Sequence, residues 1–145
     1  RSACAILEGD GSLKCWGVGG EDEFHAVSGA PTNGGFVSVS CGGGHACALT
    51  SLGQIVCWGG SDNYNLGRAI GESSSTFIQV VSGEDHACGM TETGRVKCWG
   101  RFDTGACDSP DERFAVIAAG SLHTCGITQD TGALLCWGDV PNMDQ

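Results

Sequence analysis

Proline and basic side chains are scarce in this chain, and long apolar runs are missing altogether. It has 3 Pro, 2 Met and 1 Tyr among 145 residues. Seven Lys and Arg against seventeen Asp and Glu give a formal charge of −10 at pH 7. Such a surface repels nucleic-acid phosphate, which argues against a DNA or RNA partner. No stretch approaches the roughly 20 apolar residues that cross a bilayer, so this segment is not expected to insert directly into a membrane. No stretch sustains a helical period either. The glycine run at 42–44 is not followed by the Lys-Ser/Thr of a phosphate-binding loop. No nucleophile elbow, paired-carboxylate arrangement or Cys-x-x-Cys redox pair occurs. No catalytic residue is therefore assigned, and neither an enzyme nor a cofactor is expected.

What the chain has instead is glycine and cysteine, 25 and 10 residues respectively. Ten cysteines, an even number, suit an oxidising compartment better than the cytosol. They are also periodic. Cys-Trp-Gly occurs at Cys15, Cys57, Cys98 and Cys136, about forty residues apart, and Cys4, Cys47, Cys88 and Cys125 precede these by ten or eleven positions. Three of the four units carry Gly-x-x-His-x-Cys ("GGGHAC", "GEDHAC", "GSLHTC"), and a short apolar run precedes each ("GFVSVSC", "FIQVVSG", "FAVIAAG"). Repeat one has Ser2 where the others have His45, His86 and His123.

Each cysteine pair brackets a turn. If Cys47 faces Cys57 across an antiparallel hairpin, Thr50 faces Gln54 and the loop is Ser51-Leu52-Gly53. Such a loop wants glycine last, where the backbone turns left-handed. Repeat three gives Glu92-Thr93-Gly94 in the same way, and repeats one and four centre on Gly9-Asp10 and Asp130-Thr131. This register also sets Ala3, Ala46, Ala87 and Thr124 opposite Trp16, Trp58, Trp99 and Trp137, a small residue against a large ring each time. Directly opposed cysteines lie close enough to bond. The expectation is one disulfide per hairpin, pairing Cys4–Cys15, Cys47–Cys57, Cys88–Cys98 and Cys125–Cys136. Structural zinc needs four ligands, and a hairpin offers only two thiolates, so no metal is assigned.

All-β units of this length with strong turns point to propeller blades. The unit resembles the regulator of chromosome condensation repeat, whose pattern "VSCGGGHACALTSLGQIVCWGGSDNYNLG" follows almost throughout. "VVSGEDHACGMTETGRVKCWG" and "IAAGSLHTCGITQDTGALLCWGD" follow its first two-thirds. The paired cysteines are similar to those of the family's extracellular branch, which includes the crinkly-type receptor kinases and secreted bacterial propellers. The resemblance implies about four blade hairpins forming an arc of a larger, typically seven-bladed propeller. Residues 1–145 are read as a single propeller segment with units at about 1–35, 36–76, 77–113 and 114–145.

The recurrent tryptophans read as packing, and the recurrent histidines as hydrogen-bonded to a neighbouring strand or loop. Cys41 and Cys107 break the pattern, and a mutual disulfide is the simplest expectation for them. Recognition is expected where the copies diverge, in loops that carry Asp22, Glu23, Tyr64, Phe102, Asp103 and Asp108. The function implied is an extracellular or cell-surface protein-interaction or scaffold module that binds one or more partner proteins. A carbohydrate- or calcium-dependent binding module is the alternative, although no calcium-loop Asp series is present. Nucleotide exchange on a small GTPase, also implied by the family, fits ten cysteines poorly.

Overall fold

The computed structural model describes residues 2–17, 26–60, 75–101 and 103–140. These residues form eleven strands and no helix: β1 (Ser2–Ile6), β2 (Leu13–Gly17), β3 (Phe36–Cys41), β4 (His45–Thr50), β5 (Ile55–Gly59), β6 (Phe77–Ser82), β7 (His86–Thr91), β8 (Val96–Gly100), β9 (Phe114–Ala119), β10 (His123–Thr128) and β11 (Leu134–Gly138). They assemble into four successive propeller blades: the antiparallel pair β1-β2, then the three-stranded sheets β3-β4-β5, β6-β7-β8 and β9-β10-β11.

The hairpin register follows from the turns. Thr50 N–H donates to Gln54 O at 2.8 Å, and Thr91 N–H to Arg95 O at 2.8 Å, closing the two three-residue loops. Gly53 and Gly94 sit at φ 79° and 82°, the left-handed region that only glycine enters without strain. Each cysteine then lies opposite its partner, and Ala3, Ala46, Ala87 and Thr124 lie opposite the four tryptophans, as the turn lengths predict. The structure joins Cys4–Cys15, Cys47–Cys57, Cys88–Cys98 and Cys125–Cys136, one disulfide per hairpin.

Strands β3, β6 and β9 open their blades and are laced to one another sideways. Ser82 N–H donates to Ser40 Oγ at 2.9 Å, and the Ser82 hydroxyl to Ser40 O at 3.2 Å. The Gln79 amide spans to the next blade twice: Nε2 donates to Ile117 O at 2.7 Å and Oε1 accepts from Ile117 N–H at 3.0 Å. At the other end of these strands, each hairpin turn holds the start of the following blade. Phe36, Phe77 and Phe114 donate their N–H to the carbonyls of Gly11, Gly53 and Gly94 at 3.0, 2.9 and 2.9 Å. Just beyond each clamp the pairing slips by one residue, a β-bulge at Val37, Ile78 and Ala115.

The core lies between blades rather than inside one. Trp99 shares a buried cluster with Cys47, Cys57, Leu49 and Ile55 of the preceding blade. Trp137 does the same with Cys88, Met90 and the neighbouring Cys98. Trp58 is grouped with Cys4, Ile6, Leu13 and Cys15. The disulfide of one blade and the tryptophan of the next are thus two sides of one apolar sandwich. Trp58, Trp99 and Trp137 are 6–7% exposed, whereas Trp16 is 52% exposed, because no described residue supplies it with a preceding blade.

Candidate functional site

The repeated Gly-x-x-His forms the turn between the first and second strand of each blade. Gly42, Gly83 and Gly120 donate their N–H to the carbonyls of His45, His86 and His123 at 2.8, 2.8 and 2.9 Å. The imidazole folds back over its own glycine. A Cβ built on Gly42 would lie 2.6 Å from His45 Nδ1, and one on Gly83 would lie 2.6 Å from the Gly120 carbonyl oxygen of the next blade. Glycine is therefore required by a three-layer contact of backbone, ring and neighbouring backbone. The glycine was visible in all three sequence copies, but its partner lies one blade away.

The histidines do not share one role. His86 Nε2 lies 2.9 Å from the Thr124 hydroxyl, which itself donates to Ala106 O at 3.3 Å. Trp137 Nε1 donates to the same carbonyl at 2.9 Å. Where the third interface has Thr124, the second has Ala87, so no hydroxyl faces the His45 ring, and neither of its nitrogens makes a well-formed hydrogen bond among the described residues. The expected hydrogen bond is thus made by His86 and not by His45. Burial, and secondly the nearby His86, push His45 down to about 4; burial and then His123 also lower His86. Both rings are neutral at pH 7.

An open groove of about 450 Å³ runs along this end of the blades, lined by residues 41–43, 82–84 and 119–121 and by Ser2. Blade-to-blade bonds floor it: Gly43 N–H donates to Glu84 O at 3.0 Å and Glu84 N–H to Ser121 O at 2.9 Å. Its polar side chains include the Glu84 carboxylate, which accepts from the Ser121 hydroxyl at 2.6 Å. The half-buried Cys41 thiol lies on the same wall, and burial raises its pKa, which holds it as the weakly nucleophilic thiol.

Cys41 and Cys107 are free thiols, which corrects the expected mutual disulfide. The reason is placement. Cys41 ends β3 beside the groove, while Cys107 lies in the loop after β8, its sulfur 3.5 Å from Arg101 O. Burial, and then Asp108, push Cys107 up to about 11.

Of the divergent-loop candidates, Asp22, Glu23, Tyr64 and Phe102 fall outside the described residues. Asp103 is exposed and held by Arg101, whose NH2 donates to Oδ2 at 3.0 Å; this bond lowers the Asp103 pKa. Arg101 also faces Asp85 at 3.7 Å. Asp108 is exposed and its N–H donates to Gly105 O at 3.0 Å. The structure does not bring Asp103 and Asp108 into a common ligand set: among the described residues no three His, Cys, Asp or Glu side chains are grouped as metal ligands. The loops also have a role that sequence reasoning missed. Ala26 and Ala106 offer their carbonyls to Trp58 and Trp137 Nε1, both at 2.9 Å, so the loop backbone caps the inter-blade ring.

Comparison with known proteins places this geometry. The family model described as Regulator of chromosome condensation (RCC1) repeat matches residues 36–65, 77–105 and 114–142. The crinkly ectodomain of the Arabidopsis thaliana receptor kinase ACR4 is 28% identical with a TM-score of 0.78, over 94% of this chain and 47% of that one. The ectodomain of the Physcomitrella patens receptor kinase CR4 is 28% identical with a TM-score of 0.75, over 94% of this chain and 35% of that one. Prp20p from Saccharomyces cerevisiae shares the fold at 16% identity and a TM-score of 0.72, over 88% of this chain and 41% of its own. The chain therefore spans about half, or less, of the length of these structures.

Proposed function

Because the chain belongs to the Regulator of chromosome condensation (RCC1) repeat family, we propose that it is an extracellular or cell-surface protein-interaction or scaffold module that performs no catalysis. The observation that carries this reading is the position of the disulfides. Three of the four sit inside a blade interface, against the next blade's tryptophan cluster, so the packing itself uses oxidised cysteine. Closing a loop of roughly ten residues contributes a little under 3 kcal/mol in the chain-entropy model. Such bonds persist in oxidising compartments. Similarity to two receptor-kinase ectodomains supports the same location. Rigid blades with divergent loops suit recognition of a protein partner, with residues 1–145 acting as one propeller segment and its loop residues Asp103 and Asp108 among the contacts.

Non-reducing peptide mapping of the protein from its native source tests this. Cys47 and Cys57 should be recovered as one linked pair; recovery as free thiols would sink the extracellular reading. Cross-linking at the surface of intact cells, followed by mass spectrometry, should give protein adducts. Glycan-array binding that depends on calcium, with no protein adducts, would favour a carbohydrate- or calcium-dependent module instead.

A further inference from the structure

The β-bulge at the start of each opening strand releases one side chain from the sheet. In two adjacent blades that side chain is large and apolar: Val37 is 59% exposed and Ile78 is 54% exposed. Leu52, at the tip of the second hairpin, is 79% exposed, and Leu7, in the first turn, is 46% exposed. Backbone hydrogen bonds set these four along one rim. Gly11 N–H donates to Leu7 O at 3.3 Å, and Gly11 O holds Phe36 beside Val37 at 3.0 Å. Ser51 N–H donates to Gly35 O at 2.9 Å, and Gly53 O holds Phe77 beside Ile78 at 2.9 Å. Leu52 thus lies between the two bulges.

The exposure of Val37, Leu52 and Ile78 has nothing to do with the ends of the arc. Ile78 and Leu52 have a described blade on each side, unlike Trp16 or Leu134. The patch is also bounded, since the corresponding residues one blade on are Thr93 and Ala115. Its nearest charged border is acidic, and the cations beyond it are Arg95, paired with Asp111, and Arg113 at the start of the next blade. Glu8 and Asp10 flank Leu7, and Glu92 N–H donates to Thr76 O at 3.3 Å, which seats Glu92 beside the β6 start. All three carboxylates are exposed, and no Lys or Arg occurs in segments 7–12, 34–37, 51–54, 75–78 or 91–93.

We infer that this rim, centred on Leu52 and the Val37 and Ile78 bulges, is a docking surface for a partner-protein segment that alternates aliphatic with lysine or arginine side chains. Contiguous exposed aliphatic groups on a soluble domain mark interaction sites. Their burial supplies the affinity, while the carboxylate border steers a cationic segment and fixes its register. The inference rests on the protein-binding reading and adds to the divergent loops a second contact surface.

The test uses three labelled peptides of equal length in fluorescence anisotropy with the whole chain: alternating Leu-Lys, alternating Ser-Lys and alternating Leu-Glu. The Leu-Lys peptide should bind at least tenfold tighter than either control. The double variant Leu52→Ser/Ile78→Ser should lose at least tenfold for that peptide while its circular-dichroism melting midpoint stays within a few degrees, both side chains being exposed. Equal binding of the Leu-Lys and Ser-Lys peptides would reduce the effect to charge and overturn the assignment, as would unchanged binding by the double variant. Cell-surface cross-linking of parent and double variant separates the two levels. Equal protein adducts would place the partner elsewhere and leave the protein-binding reading intact; adducts from neither would remove that reading as well.

Discussion

At the scale of single residues, the Gly-x-x-His turn makes two demands that can be measured. Gly83 has the His86 ring on one side and the Gly120 carbonyl of the next blade on the other, and both are anchored by backbone bonds. Gly83→Ala should destabilise the fold by about 2–3 kcal/mol through overpacking. A urea midpoint equal to the parent's would show that the interface can shift. The histidines make the second demand. His45 is fully buried, with a pKa lowered from 6.5 to about 4, and His86 is lowered as well. A lowered imidazole pKa means that the unfolded chain takes up the proton first. Its stabilisation is complete above pH 6.5 and is lost as the pH falls from there towards 4. For His45 alone that loss is about 3 kcal/mol. The lowered carboxylates Asp10 and Asp103 titrate below their usual 3.8, outside that window. Melting followed between pH 7 and 4.5 should therefore show a falling midpoint. His45→Gln should be less stable at pH 7 but flatter over that range; an equally steep fall would remove His45 as the cause.

At the scale of strands and hairpins, a hairpin is worth more than its own ladder because its disulfide faces the next blade. Replacing both Cys47 and Cys57 by Ala should cost the loop-closure contribution, roughly 3 kcal/mol, plus packing against the Trp99 cluster. Chemical denaturation of this variant against the parent measures it, and a loss below about 2 kcal/mol would show that the sulfurs are not part of the interface. Gln79→Ala removes both amide bonds to Ile117 and leaves that backbone N–H unpartnered, for an expected loss of about 1–3 kcal/mol. Amide exchange at Ile117 should accelerate with it. The hairpins were legible in the sequence because everything that fixes them is local: a turn glycine, a loop length, an alanine or threonine opposite a tryptophan. What was not legible depends on the neighbouring blade. The fates of Cys41 and Cys107 turn on which side of a blade each ends, and their spacing along the chain does not encode this. The difference between His86 and His45 is encoded, but one unit later, in "HTC" against "HAC". The bulges escaped notice because the slipped residues, Val37 and Ile78, are as apolar as the strand around them.

At the scale of the molecule, the repeat is a stack of similar interfaces, and stability is approximately a sum over neighbours. Trp16 has the same sequence neighbourhood as its sisters, yet it is half exposed, since its cover would come from the blade before it. Trp16→Ala should change stability by under about 0.5 kcal/mol, against about 3–5 kcal/mol for Trp58→Ala. Mild oxidation with N-bromosuccinimide should modify Trp16 first, and attack on all four rings at one rate would contradict the described packing. The carbonyl clamp adds a direction to the stack. Gly11 receives Phe36, Gly53 receives Phe77 and Gly94 receives Phe114, so the acceptor always precedes the donor in the chain. During synthesis, which runs from the amino end, every new blade emerges after its dock has been made. Docking of each strand start onto a turn already made gives assembly of this part of the protein a direction, with the disulfide face of the last hairpin left open until the next blade's tryptophan arrives.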